Sequence, residues 1–324
     1  MRPLVLLLVL LTGCARPLDP HRDLVVYTSM YQDTLAGLEA ELKKDFPQLR
    51  LHWYQAGSEE IAARTNAEIL AGGVRADLLI SSDRFWYEEL AAAKVIAPLP
   101  VDVTSKVGPD LRNGEDRYVA ISHPLMVLVY NRTLVKQGPQ SFLELTGPEW
   151  KDLITTGSPL ASGTNFTTVA MLKEKYGWDY FRRLRDQGVV SQGGNSAVIR
   201  RLQSGERSAG WVLLEDLLRL SGKDDRLVAV FPSDGATLQT NILALPVKPA
   251  DRSLALKVAA WLISEKGQRL MTRYFMYSVL PEIAAPAGAP PLSTLKLQRP
   301  DKDFLERMSR ERLEVKDQYL ELML

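Results

Sequence analysis

Hydroxyl-bearing residues follow three predicted strands in the first third of the chain. The strands are predicted over residues 23–27, 50–54 and 76–80, and the segments after them are Thr28-Ser29-Met30-Tyr31, Ala56-Gly57-Ser58 and Ser81-Ser82-Asp83. Because the carboxyl ends of parallel strands meet at one edge of a sheet, these side chains are expected to surround a common crevice. Two of the segments open predicted helices, whose free N–H groups favour an anionic ligand. The candidate residues here are Ser29, Tyr31, Ser58, Ser81 and Ser82.

The second half of the chain carries similar chemistry. Ser162-Gly163-Thr164-Asn165 and Asn195-Ser196 open predicted helices, a geometry suited to phosphate or phosphonate oxygens. An adjacent acidic pair follows a predicted strand at 211–214 and can accept hydrogen bonds from sugar hydroxyls or pair with an ammonium group. The ordinary alternative is that Ser162 and Asn195 only cap helices and that the acids begin a solvated helix. The candidate residues here are Ser162, Gly163, Thr164, Asn195, Ser196, Glu215 and Asp216.

The N-terminus predicts export and lipidation. An apolar run from Pro3 to Leu11 is far shorter than the roughly 20 residues that span a bilayer, and is typical of a signal peptide. Leu11-Thr12-Gly13-Cys14 after it matches the bacterial lipobox, and Cys14 is the single cysteine of the chain. We therefore expect a signal peptide at 1–13, lipidation at Cys14, a short tether at 14–22 and a location in the periplasm or at the cell surface, lipid-anchored to the membrane. A plain secretory signal with an incidental cysteine is the alternative.

The order of predicted elements indicates an α/β protein. The first 80 residues read β-α-β-α-β, whose connections are long enough for parallel strands with helices on both faces. A long apolar segment at 118–131 is broken by Pro124, as expected where a chain passes between two lobes. Alternation then resumes with helices at 141–145, 166–176 and 178–187, a return strand at 240–245 follows, and the last helix is predicted at 302–324.

Composition limits the possible functions. The chain has 324 residues, with 40 Lys and Arg against 39 Asp and Glu. This length allows two separately packed lobes. The balanced charge argues against nucleic acid as a partner, since such binders normally carry a basic excess.

Short motifs spread along nearly all of the chain after the signal segment carry a family resemblance. They are the lipobox, Leu24-Val25-Val26-Tyr27-Thr28-Ser29, Ala76-Asp77-Leu78-Leu79, Ser162-Gly163-Thr164, Tyr176-Gly177-Trp178, Gln192-Gly193-Gly194-Asn195-Ser196-Ala197-Val198, Ser204-Gly205-Glu206, Gly267-Gln268 and Tyr277-Ser278-Val279-Leu280-Pro281. In this order and spacing they resemble the ferric-iron-type class of ABC-transporter solute-binding proteins.

The resemblance implies a type II periplasmic-binding-protein fold with two lobes, an interlobe cleft and two crossing hinge strands. We expect the first lobe to comprise residues 23–120 and 240–285 and the second lobe residues 121–239 and 286–324. The cleft of such proteins closes over a small-molecule solute, and the closed form docks on an ABC permease in the cytoplasmic membrane. We expect a monomer that needs no cofactor.

The residues favour an organophosphate solute. In the iron-binding members, the resemblance implies an adjacent pair of tyrosines with a histidine and a carboxylate. This chain has Glu215-Asp216 where the pair would fall, Tyr31 near the histidine position and Ser81-Ser82 near the acidic position. We therefore assign no metal ligands and expect a sugar phosphate or an aminoalkylphosphonate. Ferric iron is the alternative, and a ligand-reporting partner of a membrane sensor kinase is an alternative of another class.

Enzyme motifs are absent from the sequence. It has no Gly-x-Ser-x-Gly elbow, no phosphate loop with Gly-Lys, no His-Glu-x-x-His helix and no Gly-x-Gly-x-x-Gly after the first strand. No spacing of residues in the sequence points to a hydrolase that would use a serine, an aspartate and His123. His123 next to Pro124 instead predicts packing at the crossing between lobes. We expect a binding protein without catalytic residues.

Overall fold

The structure, a computed structural model, describes residues 18–248 and 251–323. The first elements are β1 (Asp23–Thr28), α1 (Gln32–Asp45), β2 (Arg50–Gln55), α2 (Ser58–Leu70), β3 (Leu78–Ser81), α3 (Arg84–Ala92), α4 (Val101–Thr104) and β4 (Val119–Ser122). They are followed by β5 (Leu125–Asn131), β6 (Ile154–Thr156), α5 (Gly163–Asp186), β7 (Val190–Ser191), α6 (Asn195–Ser204), β8 (Ala209–Leu213), α7 (Leu214–Leu220), β9 (Leu227–Val230) and β10 (Ala236–Leu238). The last are β11 (Asn241–Ala244), α8 (Ser253–Ile263), α9 (Glu265–Arg273), β12 (Leu297–Gln298) and α10 (Lys302–Met323).

Two sheets organise these elements into two lobes. The first sheet has five strands in the order β2-β1-β3-β11-β4, in which β1 pairs in parallel with both β2 and β3. The second has seven, in the order β12-β10-β5-β8-β6-β7, with β9 paired to β5. We call the first sheet with its packed helices the first lobe, and the second sheet with its helices the second lobe. The α/β, two-lobed fold class is confirmed.

The alternation of side chains along β5 shows how helices cover both faces of the second sheet. Met126 and Leu128 point to a core that contains Phe181 of α5, whereas Val127 and Val129 join a core that contains Val198 of α6. Because successive strand residues face opposite sides, a strand buried on both faces must be apolar throughout. This is why the segment from Leu125 to Val129 has no polar residue.

Two strand-to-strand connections cross between the lobes near the cleft, and the chain crosses a third time between α9 and β12. Residues 123–124 connect β4 to β5, and residues 239–240 connect β10 to β11. The two crossings are joined, because His123 Nδ1 lies 2.9 Å from the Gln239 carbonyl oxygen and the Gln239 N–H donates to the Pro124 carbonyl at 2.9 Å. Burial lowers the pKa of His123 to about 4, so the imidazole is neutral at this crossing. His123 and Pro124 pack where the sequence predicted.

Some expected elements differ from the structure. The helix expected at 141–145 is only a 3-10 turn over Leu143–Thr146, because Gly147 and Pro148 follow immediately and a proline cannot continue an α-helix. The helices expected at 166–176 and 178–187 are one element, α5, interrupted at Gly177, whose φ of 69° favours glycine. Helix α3 was not predicted, since its consecutive buried residues Phe85, Trp86 and Tyr87 lack the helical spacing of a one-sided apolar face.

The two ends of the chain relate differently to this fold. Cys14 and the expected signal peptide lie outside the described residues, and residues 18–22 of the expected tether lead into β1. At the other end, α10 packs on α3 of the first lobe and on α5 of the second. Within the part of the chain that the structure describes, no helix is both long enough and apolar enough to cross a membrane.

Candidate functional site

A cavity of about 300 Å³ lies between the lobes, at the ends of strands from both sheets. Most of the candidate binding residues line it, and they come from both lobes: Ser29, Tyr31, Ser58, Ser82, Ser162, Thr164, Asn195, Ser196 and Glu215. The structure therefore places side chains that are up to 186 positions apart around one space of small-molecule size, as Ser29 and Glu215 illustrate.

Three candidates do not line this cavity. Ser81 is fully buried, and its hydroxyl contacts the Tyr87 hydroxyl at 3.3 Å. Gly163 begins α5 behind the cavity wall, where its N–H donates to the hydroxyl oxygen of Ser58 at 2.7 Å. Asp216 is also buried and accepts a hydrogen bond from the Tyr31 hydroxyl at 3.0 Å. Gly163 and Asp216 thus contact lining residues, whereas Ser81 is a core residue.

Helices α1, α2, α5 and α6 begin at this cavity. The residues preceding their first turns are Tyr31 for α1, Gly57 for α2, Ser162 for α5 and Gly194 for α6, and all of them line the space. None of these residues caps its helix with a side-chain hydrogen bond. The ordinary capping role considered for Ser162 is therefore not the one in the structure. The N-terminal N–H groups and positive dipole ends of these helices favour an anion here.

A short hydrogen-bond network holds the hydroxyls of α5 in place. Ser162 Oγ lies 2.9 Å from Thr164 Oγ1, and Asn195 Nδ2 donates to Thr164 Oγ1 at 3.1 Å. Asn195 Oδ1 accepts in turn from the amide of the fully buried Asn165 at 2.8 Å. Only one of the two hydroxyl hydrogens can take part in the bond between Ser162 and Thr164. The other hydrogen is available to a solute oxygen.

An acidic group lies at another part of the cavity. Burial, and then the neighbouring Asp216, raise the pKa of Glu215 to about 8. Burial also raises the pKa of Asp216 to about 6, although Arg219 and the Tyr31 hydroxyl favour its charged form. Glu215 is 3% exposed and lines the cavity directly. At neutral pH it is mostly a carboxylic acid, which can donate one hydrogen bond and accept others.

Two arginines complete the lining but were not among the candidates. Arg200 of α6 lines the cavity and makes no ion pair with any residue of the described ranges. Arg219 of α7 also lines it, and donates to Asp33 at 3.1 Å and to Thr34 Oγ1 at 3.1 Å in the other lobe. The helical spacing was an available signal, because Arg200 follows Ser196 by four positions and Arg219 follows Glu215 by four.

The side chains that could ligate a metal ion do not form a recognisable metal centre. Within residues 18–248 and 251–323, no group of three or more His, Cys, Asp or Glu side chains is placed to hold a metal ion. Tyr31 is the one tyrosine of the cavity lining, and burial raises its pKa well above the usual value. Glu215 is the only other acidic side chain of the lining, so few anionic oxygen donors face this space.

A second cavity, of about 920 Å³, lies between α3, the loop at 108–115 and the start of α10. It is lined by charged side chains of both signs, such as Arg84, Glu88, Arg299 and Asp301, and by none of the candidate residues. Although it is the larger space, Thr240 is the only hydroxyl-bearing residue of its lining. We therefore take the smaller cavity as the candidate site.

Comparisons with known proteins agree with this geometry. The profile of a family described as bacterial extracellular solute-binding protein matches residues 75–307. A substrate-binding protein of an ABC transporter from Agrobacterium tumefaciens is similar in structure, with a TM-score of 0.83, 21% identity and coverage of 97% of this chain and 96% of that one. No curated protein sequence matches the chain.

Two further solved structures share the fold but bind different solutes. The periplasmic binding protein AfuA from Actinobacillus pleuropneumoniae, with fructose 6-phosphate bound, has a TM-score of 0.81 and 18% identity over 93% of this chain and 98% of that one. Iron-bound HitA from Pseudomonas aeruginosa has a TM-score of 0.79 and 17% identity over 92% of this chain and 99% of that one. At such identities, the likeness shows the fold alone.

Proposed function

Because this chain belongs to the family of bacterial extracellular solute-binding proteins, which bind solutes for transport and are not enzymes, we propose that it captures an organophosphate for an ABC importer. The solute would be a small phosphate or phosphonate ester held in the 300 Å³ cavity. The observation that carries this proposal is the convergence of the starts of α2, α5 and α6 on this cavity, together with Arg200.

The remaining lining supports a polar organic part on the same solute. Glu215, Arg219 and Asn241 offer both donors and acceptors to hydroxyl or amino groups. Arg219 Nη1 is buried and has no hydrogen-bond partner among the described residues, and a bare inorganic anion bound at the helix starts would leave it unpaired, which is costly. We therefore favour a sugar phosphate or an aminoalkylphosphonate over free phosphate.

Ferric iron is the less favoured solute for a physical reason. Fe(III) requires several anionic oxygen donors, and among the lining side chains only Tyr31 and Glu215 are of the right types. Two such donors are fewer than this ion requires, and the rest of the polar lining consists of neutral hydroxyls, amides and the two arginines.

The cellular setting completes the proposal. The lobes would be residues 23–120 with 240–285, and 121–239 with 286–324, closing about the crossings at 123–124 and 239–240. Closure would present a surface to a membrane permease, and lipidation at Cys14 would keep the monomeric protein at the outer side of the cytoplasmic membrane.

The test is a binding screen with the purified protein. Fructose 6-phosphate, 2-aminoethylphosphonate, inorganic phosphate and ferric nitrilotriacetate are compared by thermal unfolding, and co-purified solute is sought by native mass spectrometry. A solute at a hundredfold excess over its Kd stabilises the folded state by about 2.7 kcal/mol. We expect a clear rise in Tm with an organophosphate. A rise only with iron, accompanied by a visible tyrosinate-to-iron absorption band, would replace this proposal with the ferric one.

A further inference from the structure

The C-terminal helix α10 packs on both lobes through one apolar surface. Its residues Phe304, Leu305, Met308 and Val315 form a cluster with Phe85 of α3 and with Phe166 and Ala170 of α5. The rings of Phe85 and Phe166 also contact each other across the lobes, with centroids 5.3 Å apart. The helix therefore lies over the seam between the lobes.

Two cations of α10 bind acids of the first lobe. Arg312 Nε donates to Asp83 at 2.8 Å and Arg312 Nη2 to Glu59 at 2.9 Å, while Lys316 Nζ donates to Glu59 at 2.6 Å. Arg312 and Lys316 are 5% and 6% exposed, which is unusual for such side chains. Burial raises the pKa of Glu59 and lowers the pKa of Lys316, so each group needs its partners to stay charged.

The end of the same helix is attached to the second lobe. The Tyr319 hydroxyl lies 2.7 Å from Ser191 Oγ, and the Tyr319 ring packs edge-on against Phe181 with centroids 5.5 Å apart. Arg312 and Tyr319 are two helical turns apart on α10, so one rigid helix binds to both lobes. Separation of the lobes must break either the ion cluster or the apolar and tyrosine contacts.

From this geometry we infer that Arg312 and Lys316 fasten the closed arrangement of the lobes from outside the solute cavity. No described residue of α10 lines the 300 Å³ cavity, so these contacts do not depend on a solute. The acids they hold are each next to a lining residue, since Glu59 follows Ser58 and Asp83 follows Ser82. The cations thus act as positioning residues for one wall of the site. Solute affinity scales with the population of the binding-competent arrangement, so a tenfold loss of that population weakens affinity tenfold.

The decisive experiment measures the radius of gyration by small-angle X-ray scattering without any added solute. Three variants are compared with the parent protein: Arg312→Gln, Arg312→Lys as the conservative rescue, and Arg307→Gln as the matched control. Arg307 lies on the same helix but pairs with Glu174 of α5 at the protein surface, within the second lobe. We expect R312Q to shift the radius of gyration to a larger value, R312K to restore most of the parent value and R307Q to leave it unchanged.

Each result decides the inference. If R312Q folds and keeps the parent radius of gyration, with or without a lower Tm, α10 only stabilises the fold and the inference is wrong. If R312Q does not fold, Glu59→Gln decides in its place, because Arg312 then keeps its bond to Asp83. Since no solute enters the measurement, it can succeed or fail independently of the organophosphate screen.

Discussion

The hydroxyl oxygen of Ser58 accepts a hydrogen bond from the backbone N–H of Gly163 across a distance of 2.7 Å. Ser58 begins α2 of the first lobe, and Gly163 begins α5 of the second. A serine that would ordinarily serve its own helix thus satisfies a free N–H group of a helix in the other lobe. The bond joins the two lobes directly beside the candidate site, since Ser58 lines the cavity.

Ser58→Ala should weaken solute binding by loss of this contact. A single hydrogen bond of this kind contributes about 0.5–1.5 kcal/mol, so we expect affinity to fall about twofold to twelvefold. Isothermal titration with the solute found in the screen measures the change, and Ser204→Ala, at the exposed end of α6, is the control. An unchanged affinity in S58A would mean that this bond does not contribute to closure.

Gly163→Ala should act more strongly, because the glycine allows the lobes to approach. A Cβ atom at Gly163 would lie 2.7 Å from Asp83 Cβ and 2.8 Å from Asp83 Cα, closer than real contacts permit. Relief of such overlap costs about 1–3 kcal/mol. Because Asp83 and Gly163 belong to different lobes, the overlap destabilises the closed arrangement of the lobes. We expect affinity to fall about tenfold or more while the secondary structure stays intact by circular dichroism.

The control for G163A is Gly108→Ala, where an added Cβ would meet no atom within 4 Å. It should bind like the parent protein. Equal affinity of G163A and G108A would show that the closed lobes do not approach as closely as the structure indicates.

The positions of Ser162, Asn195 and Glu215 could be predicted because the rule behind them is local. A polar residue between a strand end and a helix start lies at a known edge of an α/β sheet wherever the rest of the chain runs. Ser81 failed the same rule because it is still within β3 and points into the core.

Arg312 could not be located in this way. It lies inside a helix, and which side of that helix meets the other lobe depends on how the lobes pack. Arg312 also lies in a highly charged helix, where the sequence favours an exposed side chain. Its burial follows from the tertiary contact with Asp83 and Glu59, which are more than 220 positions away.

Arg200→Ala should reduce affinity for a phosphate-bearing solute. A hydrogen bond to a charged group contributes about 1.5–3 kcal/mol, so we expect binding to weaken about tenfold to a hundredfold. The adjacent Arg201 offers a matched control, since it donates to the Gln192 carbonyl at 2.9 Å and does not line the cavity. R201A should bind within about twofold of the parent protein. If both variants bind alike, Arg200 does not contact the solute.

Glu215→Gln should change how stability depends on pH. The pKa of Glu215 is raised from 4.5 to about 8 in the folded protein, so between these values the folded state holds a proton that the unfolded state has lost. The proton bound to the Glu215 carboxyl therefore makes its full contribution to the free energy of unfolding below about pH 4.5. Between pH 4.5 and 8 this contribution falls by about 1.4 kcal/mol for each pH unit, and it is lost as pH rises through 8. The glutamine of the variant carries no titrating proton, so this loss of stability does not occur in E215Q.

Thermal unfolding without solute should give E215Q a higher Tm than the parent protein at pH 8.5, and this difference should disappear toward pH 5. The exposed Glu282→Gln serves as the control and should follow the parent curve. Parallel curves for E215Q and the parent protein would mean that the Glu215 carboxyl is ionised in the folded state throughout this range.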